Sequence, residues 1–309
     1  YSFCFRWRFI TITAPLKKRR RTDVHTLSRF LQANFGRFWL GAVYLFLYTP
    51  LIFLIVFSFN STRQDGVFTG FSMRWYEALL NDSRLVSGFF LSLKIAVMTG
   101  TLSTILGTFA AFVLVRFPRF KGRSLFSGLV SAPLVMPEVI IGLSLLLLMV
   151  AVQHAIGWPE RGVTTIVIGH TLLGMAYATV VITARLRDMD RSIEEAAMDL
   201  GCRPLQVFFL VTLPNILPSL IAAWMLTFTL SFDDVVVSEF VSGPGVTTLP
   251  QVIFGYARRG VNPSIYAAAT LLILTVSVGI IAYSLLTLRA QAQREREIKA
   301  AERAETARA

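Results

Sequence analysis

Ser192-Ile-Glu-Glu-Ala-Ala-Met-Asp-Leu-Gly201, continued by Cys202-Arg-Pro-Leu-Gln-Val-Phe-Phe-Leu-Val-Thr-Leu-Pro214, joins two long apolar runs and is patterned too regularly for a plain linker. Ser192 is suited to cap a helix, and Glu195, three residues on, completes a capping box. Ile193, Ala196, Ala197 and Leu200 recur at helical spacing and make one apolar stripe. Gly201 is placed to end that helix, Pro204 to open a second one, and Pro214 to mark the start of the next apolar run. A short amphipathic helix needs a second surface over its stripe, and two covers are open: the chain's own helices, or a partner.

Outward from this loop the chain alternates apolar runs with basic connections. A bilayer core about 30 Å thick takes roughly 20 helical residues to cross, because each backbone N–H and C=O must be satisfied within its own segment. Six stretches meet that length: 38–59, 86–115, 126–151, 163–184, 216–238 and 264–288. The fold class expected is therefore all-α and integral to a membrane, with a basic segment over 1–37, a six-helix domain over 38–288 that contains the loop 185–214, and a charged tail over 289–309. No weight is placed on the first residues, Tyr1 to Pro15. The first apolar run is longer than the 7 to 15 residues typical of a signal-peptide core and lacks a small-residue cleavage site, so it is expected to remain as an anchor.

Hydrophobic residues make up 54% of the 309 and charged ones 16%, too apolar for an ordinary soluble domain. The formal charge of +12 invites a nucleic-acid reading, but the basic residues lie between the apolar runs rather than on one folded face. Arg63, Arg74, Arg84, Arg161, Arg258 and Arg259 fall on one side of the predicted spans and Lys94 within one; all remaining Lys and Arg fall on the other side. Cytoplasmic loops retain cations, so both termini and the 185–214 loop are expected in the cytoplasm and no nucleic-acid partner is expected. Cys4 and Cys202 are isolated, and His25, His154 and His170 form no metal-ligand motif, so no metal site is expected.

Acidic residues where lipid is expected are the second informative feature. Asp233 and Asp234 lie within the fifth span and Glu239 at its outer end. A charge at the centre of a membrane helix costs roughly 2.5 to 3.5 kcal/mol or more, so these groups are expected to face protein or a watery path. Thr227, Ser231, Asp234 and Ser238 are spaced to form one polar stripe on that helix. Glu138 follows Pro133 and Pro137 near the middle of the third span. A structural hydrogen-bond network and a substrate path both fit these carboxylates. Carboxylates along a path would suit a polycation, whose ammonium groups need compensation on leaving water.

Glu195-Ala196-Ala197, then Gly201, then Leu213-Pro214, resembles the EAA signature of ABC importer permeases, with Val211 where isoleucine is usual. The run Ser231-Phe-Asp-Asp-Val-Val-Val-Ser-Glu-Phe-Val-Ser-Gly-Pro-Gly245, with Thr247-Thr-Leu-Pro250 and Ala257-Arg-Arg-Gly-Val-Asn-Pro263, is similar to spermidine/putrescine permeases over about residues 38–288. The resemblance implies a type I ABC importer permease fold like that of the methionine importer, in a bacterial inner membrane. It implies a coupling role for Glu195, Ala196, Ala197, Gly201, Leu213 and Pro214, and a substrate path near Asp233, Asp234, Glu138 and Ser231. It also implies the partners: a second homologous permease, two ATPase subunits carrying ATP and Mg, and an extracytoplasmic solute-binding protein. No cofactor is expected on this chain, which lacks the Gly-x4-Gly-Lys-Ser/Thr phosphate loop and is not expected to be an enzyme itself. Iron or another small organic cation is the alternative solute within the family. An ion-gradient-driven carrier, in which buried carboxylates would relay protons or bind sodium, is the competing class. The segment from Leu249 to Arg259 is expected to form a short external helix, with Arg258 and Arg259 either docking charges or simply solvated.

Overall fold

A computed structural model describes residues 22–62, 67–117, 119–259 and 263–306, so the basic residues Lys17 to Arg21 and the cysteine Cys4 lie outside the described residues. The chain divides into two compact units whose boundary falls between Phe53 and Leu54, within helix α1 (Thr22–Phe57). The first unit, residues 1–53, contains most of that helix, free of charged residues from Phe38 and carrying Pro50 in its interior.

Among its described residues the second unit consists of helices joined by short connections, with one isolated bridge between Asn60 and Phe71. Its elements are α2 (Arg74–Asn81), α3 (Ser83–Arg116), α4 (Arg123–Val135), α5 (Glu138–Ile156), α6 (Val163–Asp188), α7 (Ser192–Asp199) and α8 (Pro204–Val207). A π-turn (Phe208–Thr212) then leads into α9 (Leu213–Asp233), α10 (Val236–Val241), α11 (Leu249–Arg258) and α12 (Pro263–Thr306). The short helix expected from Leu249 is thus present as α11. Six helical stretches are long and apolar enough to cross a bilayer: Phe35–Phe57, Ser83–Arg116, Glu138–Ile156, Val163–Asp188, Pro204–Asp233 and Ser264–Gln293.

Helices α3, α6 and α9 pack on one another at the centre of this unit. In a membrane, helices associate through close packing rather than through expulsion of water, and small residues permit it. A Cβ added at Gly107 of α3 would come within 2.6 Å of the Ala178 Cβ of α6, so only glycine allows that approach. Ala111, Ala178, Ile182, Leu186, Ile216 and Ala223 fill the core toward the C-terminal end of α6. Ile95, Ile166, Val167, Val237 and Val241 fill it toward the N-terminal end.

Three predicted spans differ from the observed helices. The third, expected to run unbroken over 126–151, is split at Met136-Pro137 into α4 and α5, because Pro137 has no N–H to continue a ladder and Met136 adopts extended backbone (φ −78°, ψ 140°). The fifth, expected over 216–238, begins at Pro204 and ends at Asp233. Pro214 therefore lies inside a continuous helical run rather than at its start. The π-turn accommodates it: the Leu213 N–H reaches back five residues to the Phe208 carbonyl just before the proline that has no N–H to give. The sixth continues through the charged tail as one helix to Thr306.

Candidate functional site: an outward-facing loop helix and a polar cleft

Helix α7 is held at its first turn and bare along its length. The expected capping box is not formed. Arg191 occupies the cap position in helical backbone, and the Asp190 carboxylate accepts the Ser192 N–H at 2.9 Å instead. An ionised carboxylate is a stronger acceptor than a serine hydroxyl, which explains the displacement. That backbone bond, with a second from the Ser192 hydroxyl, holds the Asp190 carboxyl below its ordinary range. At the other end Gly201 has φ +91°, its N–H donates to the Met198 carbonyl (2.9 Å), and the Cys202 N–H donates to the Ala197 carbonyl (3.1 Å). This is a Schellman stop that needs a residue tolerant of left-handed backbone.

Between these ends no residue of α7 is buried. Ile193 is 46% exposed and Leu200 87%, so the chain's own helices do not cover the apolar stripe. Glu195 is also exposed. The neighbouring Glu194 points the other way: its Oε1 accepts from the Arg116 guanidinium at 2.8 Å and from the Thr212 hydroxyl at 2.6 Å. The Arg191 guanidinium donates to the Val115 carbonyl at 3.0 Å. Glu194 and Arg191 thus fasten α7 to the end of α3 and to the π-turn, leaving the opposite face of α7 outward. Leu213 is half-buried and Pro214 exposed where that π-turn meets α9.

The second constellation is centred on His170 of α6, a residue whose sequence neighbours form no metal-ligand motif. Its side chain is 2% exposed. Nδ1 lies 2.7 Å from the Ser231 Oγ, and Nε2 lies 3.0 Å from both the Asp234 Oδ2 and the Ser238 Oγ. The expected polar stripe is not carried by one helix, because α9 stops at Asp233 and Ser238 belongs to α10. Asp234 turns the chain with extended backbone (φ −66°, ψ 130°), and its carboxylate accepts the N–H groups of Val237 at 3.3 Å and Ser238 at 2.8 Å. Ser231, Asp234 and Ser238 nevertheless converge on the imidazole, while the Thr227 hydroxyl donates back to the Ala223 carbonyl of its own helix.

The cleft beside this network is lined by Glu138, His170, Leu173, Gly174, Tyr177, Thr227, Leu230, Ser231 and Asp234. Glu138 is exposed in the first turn of α5, where the helix dipole favours a carboxylate. Asp233 is exposed as well, within electrostatic reach of Glu138 and Asp234 but outside the cleft lining. The three carboxylates therefore separate into one consumed by internal bonds and two left open. Among the described residues no group of three or more His, Cys, Asp or Glu is arranged to hold a metal.

At the far end of the bundle α10 and α11 are latched to their surroundings. The Arg161 guanidinium donates to the carbonyls of Phe240 (3.2 Å) and Ser242 (2.8 Å), and the Leu249 N–H donates to the Ser92 hydroxyl (2.9 Å). Arg258 stacks over Phe254 with 4.3 Å to the ring centroid, and Arg259 over Tyr256 with 5.0 Å. Those ring contacts occupy the guanidinium faces expected to be either docking charges or solvated.

Residues 103–293 match the model of the family described as binding-protein-dependent transport system inner membrane component. The putrescine transport system permease protein PotI of Escherichia coli is 55% identical over 262 residues, covering 84% of this chain and 93% of that protein. The spermidine/putrescine transport system permease protein PotC of Haemophilus influenzae is 36% identical, covering 85% and 98%. In fold, the chain resembles the MetNI methionine ABC transporter in inward-facing form, with a TM-score of 0.53 at 20% identity over 65% of this chain and 92% of that one. It also resembles a bacterial ABC transporter for the acidic polysaccharide alginate, with a TM-score of 0.67 at 13% identity over 85% and 99%. The all-helical architecture is that of a type I ABC importer permease. The chain, a multi-pass membrane protein, belongs to the family of binding-protein-dependent transport system inner membrane components.

Proposed function

We propose that this chain is the permease subunit of an ATP-driven importer of polyamines, putrescine or spermidine, and that it works with a second homologous permease, two ATPase subunits and an extracytoplasmic binding protein. The observation that carries the coupling part is α7: an amphipathic helix with no buried residue and with Ile193, Leu200 and Glu195 exposed, clamped to the membrane helices through Glu194 and Arg116. One of the two ATPase subunits, which bind ATP and Mg, seats on Ile193, Ala196, Ala197 and Leu200. Glu195 pairs there with a cation of the motor. Movement of the motor then reaches α3 through the Arg116–Glu194 pair and α9 through Thr212, a two-state displacement driven by differential contact in each nucleotide state. The termini and α7 lie on the cytoplasmic side.

Polyamine is the solute favoured by the similarity to PotI and PotC and by the open carboxylates. An alkyl diamine carries two separated ammonium groups, and each needs an acceptor as it leaves water. Glu138, exposed in the cleft lining, and Asp233, exposed beyond that lining, supply them in turn. Asp234 and Ser231 hold the wall of the path through His170.

The test is transport by the reconstituted complex. Glu195→Ala is expected to leave ATP hydrolysis running while uptake falls. Unchanged coupled uptake would remove Glu195 from the motor contact. Recovery of this protein alone, active in transport without any ATPase, would reject the importer reading in favour of an ion-gradient carrier.

A further inference from the structure

Beside the clamp that fastens α7 lies a cavity of about 540 Å³ that neither the coupling helix nor the polar cleft uses. Its wall is built from the ends of α3 and α6, the start of α4 and the turn before α7. Arg116, Arg123, Arg187 and Arg191 line it, together with Leu114, Val115, Leu186, Met189, Asp188 and Asp190. The exposed apolar residues of α7, Ile193, Met198 and Leu200, are not part of this lining, so the cavity is separate from the face offered to a motor.

Cations at the end of a membrane helix ordinarily need no explanation beyond topology. Two of these differ. The Arg116 side chain is only 10% exposed, and both its Nε and the Nε of Arg123 are buried without any hydrogen-bond partner. Arg116 gives one donor to Glu194, and Arg123 has only a long 3.4 Å bond to the Leu114 carbonyl. A guanidinium presents five donors, and leaving them unmet out of water is costly unless an acceptor arrives. Of the two carboxylates in the wall, Asp190 is engaged by Ser192. The four arginines exceed the acidic groups facing them even after Glu194 is counted against Arg116.

We propose that this cavity binds the phosphate of an anionic phospholipid headgroup. The chemistry required is a singly charged phosphate with apolar chains beside it. The two candidate spans that supply the wall, Ser83–Arg116 and Val163–Asp188, both end at the cavity, and the end of a span is the level at which headgroups lie. Leu114, Val115 and Leu186 continue the wall toward the acyl region. Basic pockets between membrane helices recognise headgroups in this way, by charge and by bidentate guanidinium bonds. Asp188 adds a repulsive term against more highly charged anions. A bound headgroup would fix Arg116 and Arg123 and so stiffen the seat of α7. The inference does not depend on which solute is carried.

Native mass spectrometry of the full-length chain, and of its complex with the ATPase subunits, supplies the test, with phosphatidylglycerol as probe against phosphatidylcholine and inorganic phosphate. Phosphatidylglycerol is expected to be retained in preference to phosphatidylcholine, in the complex as well as in the chain alone. The double variant Arg123→Gln/Arg187→Gln is expected to retain it about 30-fold less, at the usual strength of one surface cation each, while Arg119→Gln, outside the lining, retains it unchanged. Should the double variant fold poorly, the exposed Arg187→Gln alone is expected to weaken retention about fivefold. Equal retention of the two lipids, or no change in the variants, would overturn the proposal. Displacement by millimolar inorganic phosphate would identify a free-anion site instead, and loss of lipid when the ATPase subunits dock would assign the cavity to an acidic partner surface. Either result overturns the lipid assignment.

Discussion

At one end of the bundle α7 keeps its apolar residues outside, with Leu200 87% exposed, whereas around His170 polar groups are folded inward and bonded to one another. Each region contains adjacent carboxylates, and each uses the pair in the same divided manner. Glu194 is tied to Arg116 and Thr212 while Glu195 is open. Asp234 is tied to His170 and two backbone N–H groups while Asp233 is open. Glu194 and Glu195 point about 100° apart on α7, and Asp233 and Asp234 diverge where α9 ends and the backbone turns extended, so one member of each pair can build the scaffold while its neighbour meets a ligand. The scaffold member is expected to govern stability and the open member activity.

Arg116→Ala tests that division with the largest expected effect. It strands a nearly buried Glu194, at a cost of about 3 kcal/mol, and hydrogen exchange over residues 192–201 is expected to quicken about 100-fold. Unchanged exchange would show that something other than this pair holds α7. His170→Ala is expected to come next. It removes the bonds that join α6 to α9 and α10, for about 2 kcal/mol, visible as a lower thermal transition in detergent. Asp233→Asn sharpens the contrast: within about 0.5 kcal/mol of the parent in stability, but lower in polyamine uptake. Normal uptake with lowered stability would place Asp233 on the scaffold side.

Gly201→Ala is expected to cost about 1 kcal/mol, because an L side chain at φ +91° strains the stop of α7. Faster exchange confined to the last turn of α7 would report it. The smallest effect is in pH. The Asp190 carboxyl is held below its ordinary range by Ser192, so its contribution is present above the unfolded value and is lost as pH falls through the folded one. Protection of the first-turn amides of α7, taken relative to their intrinsic exchange rate at each pH, is therefore expected to stay flat down to the usual carboxylate range and to fall only below it.

The six apolar helices were legible because hydropathy sums along the chain and lipid imposes a length. The break at Met136-Pro137 was not, since it leaves the running hydropathy unchanged, and the break at Asp234 was not, since a pair of acids lowers the hydropathy without saying whether the helix stops there. Pro133 and Pro137 looked alike in sequence, yet Pro133 stays inside α4 and Pro137 opens α5. The α7 stop was readable from Gly201, because φ above zero selects glycine. The start was misread, because Asp190 competes with Ser192 for the same cap.

Glu194 and Glu195 cannot be told apart without knowing where Arg116 lies, 78 residues away in sequence. His170 carried a usable signal that went unused: an ionisable side chain within a membrane span is itself a candidate for function, whether or not it has metal-ligand neighbours.

The central claim, that α7 turns its apolar face to a motor on the cytoplasmic side, is tested most directly by thiol labelling of Ile193→Cys in a chain whose Cys4 and Cys202 are replaced by serine. An impermeant maleimide is expected to react in inside-out vesicles stripped of ATPase subunits, to be blocked when those subunits are restored, and to leave intact cells unlabelled. Labelling from outside intact cells, or labelling unaffected by the ATPase subunits, would contradict it.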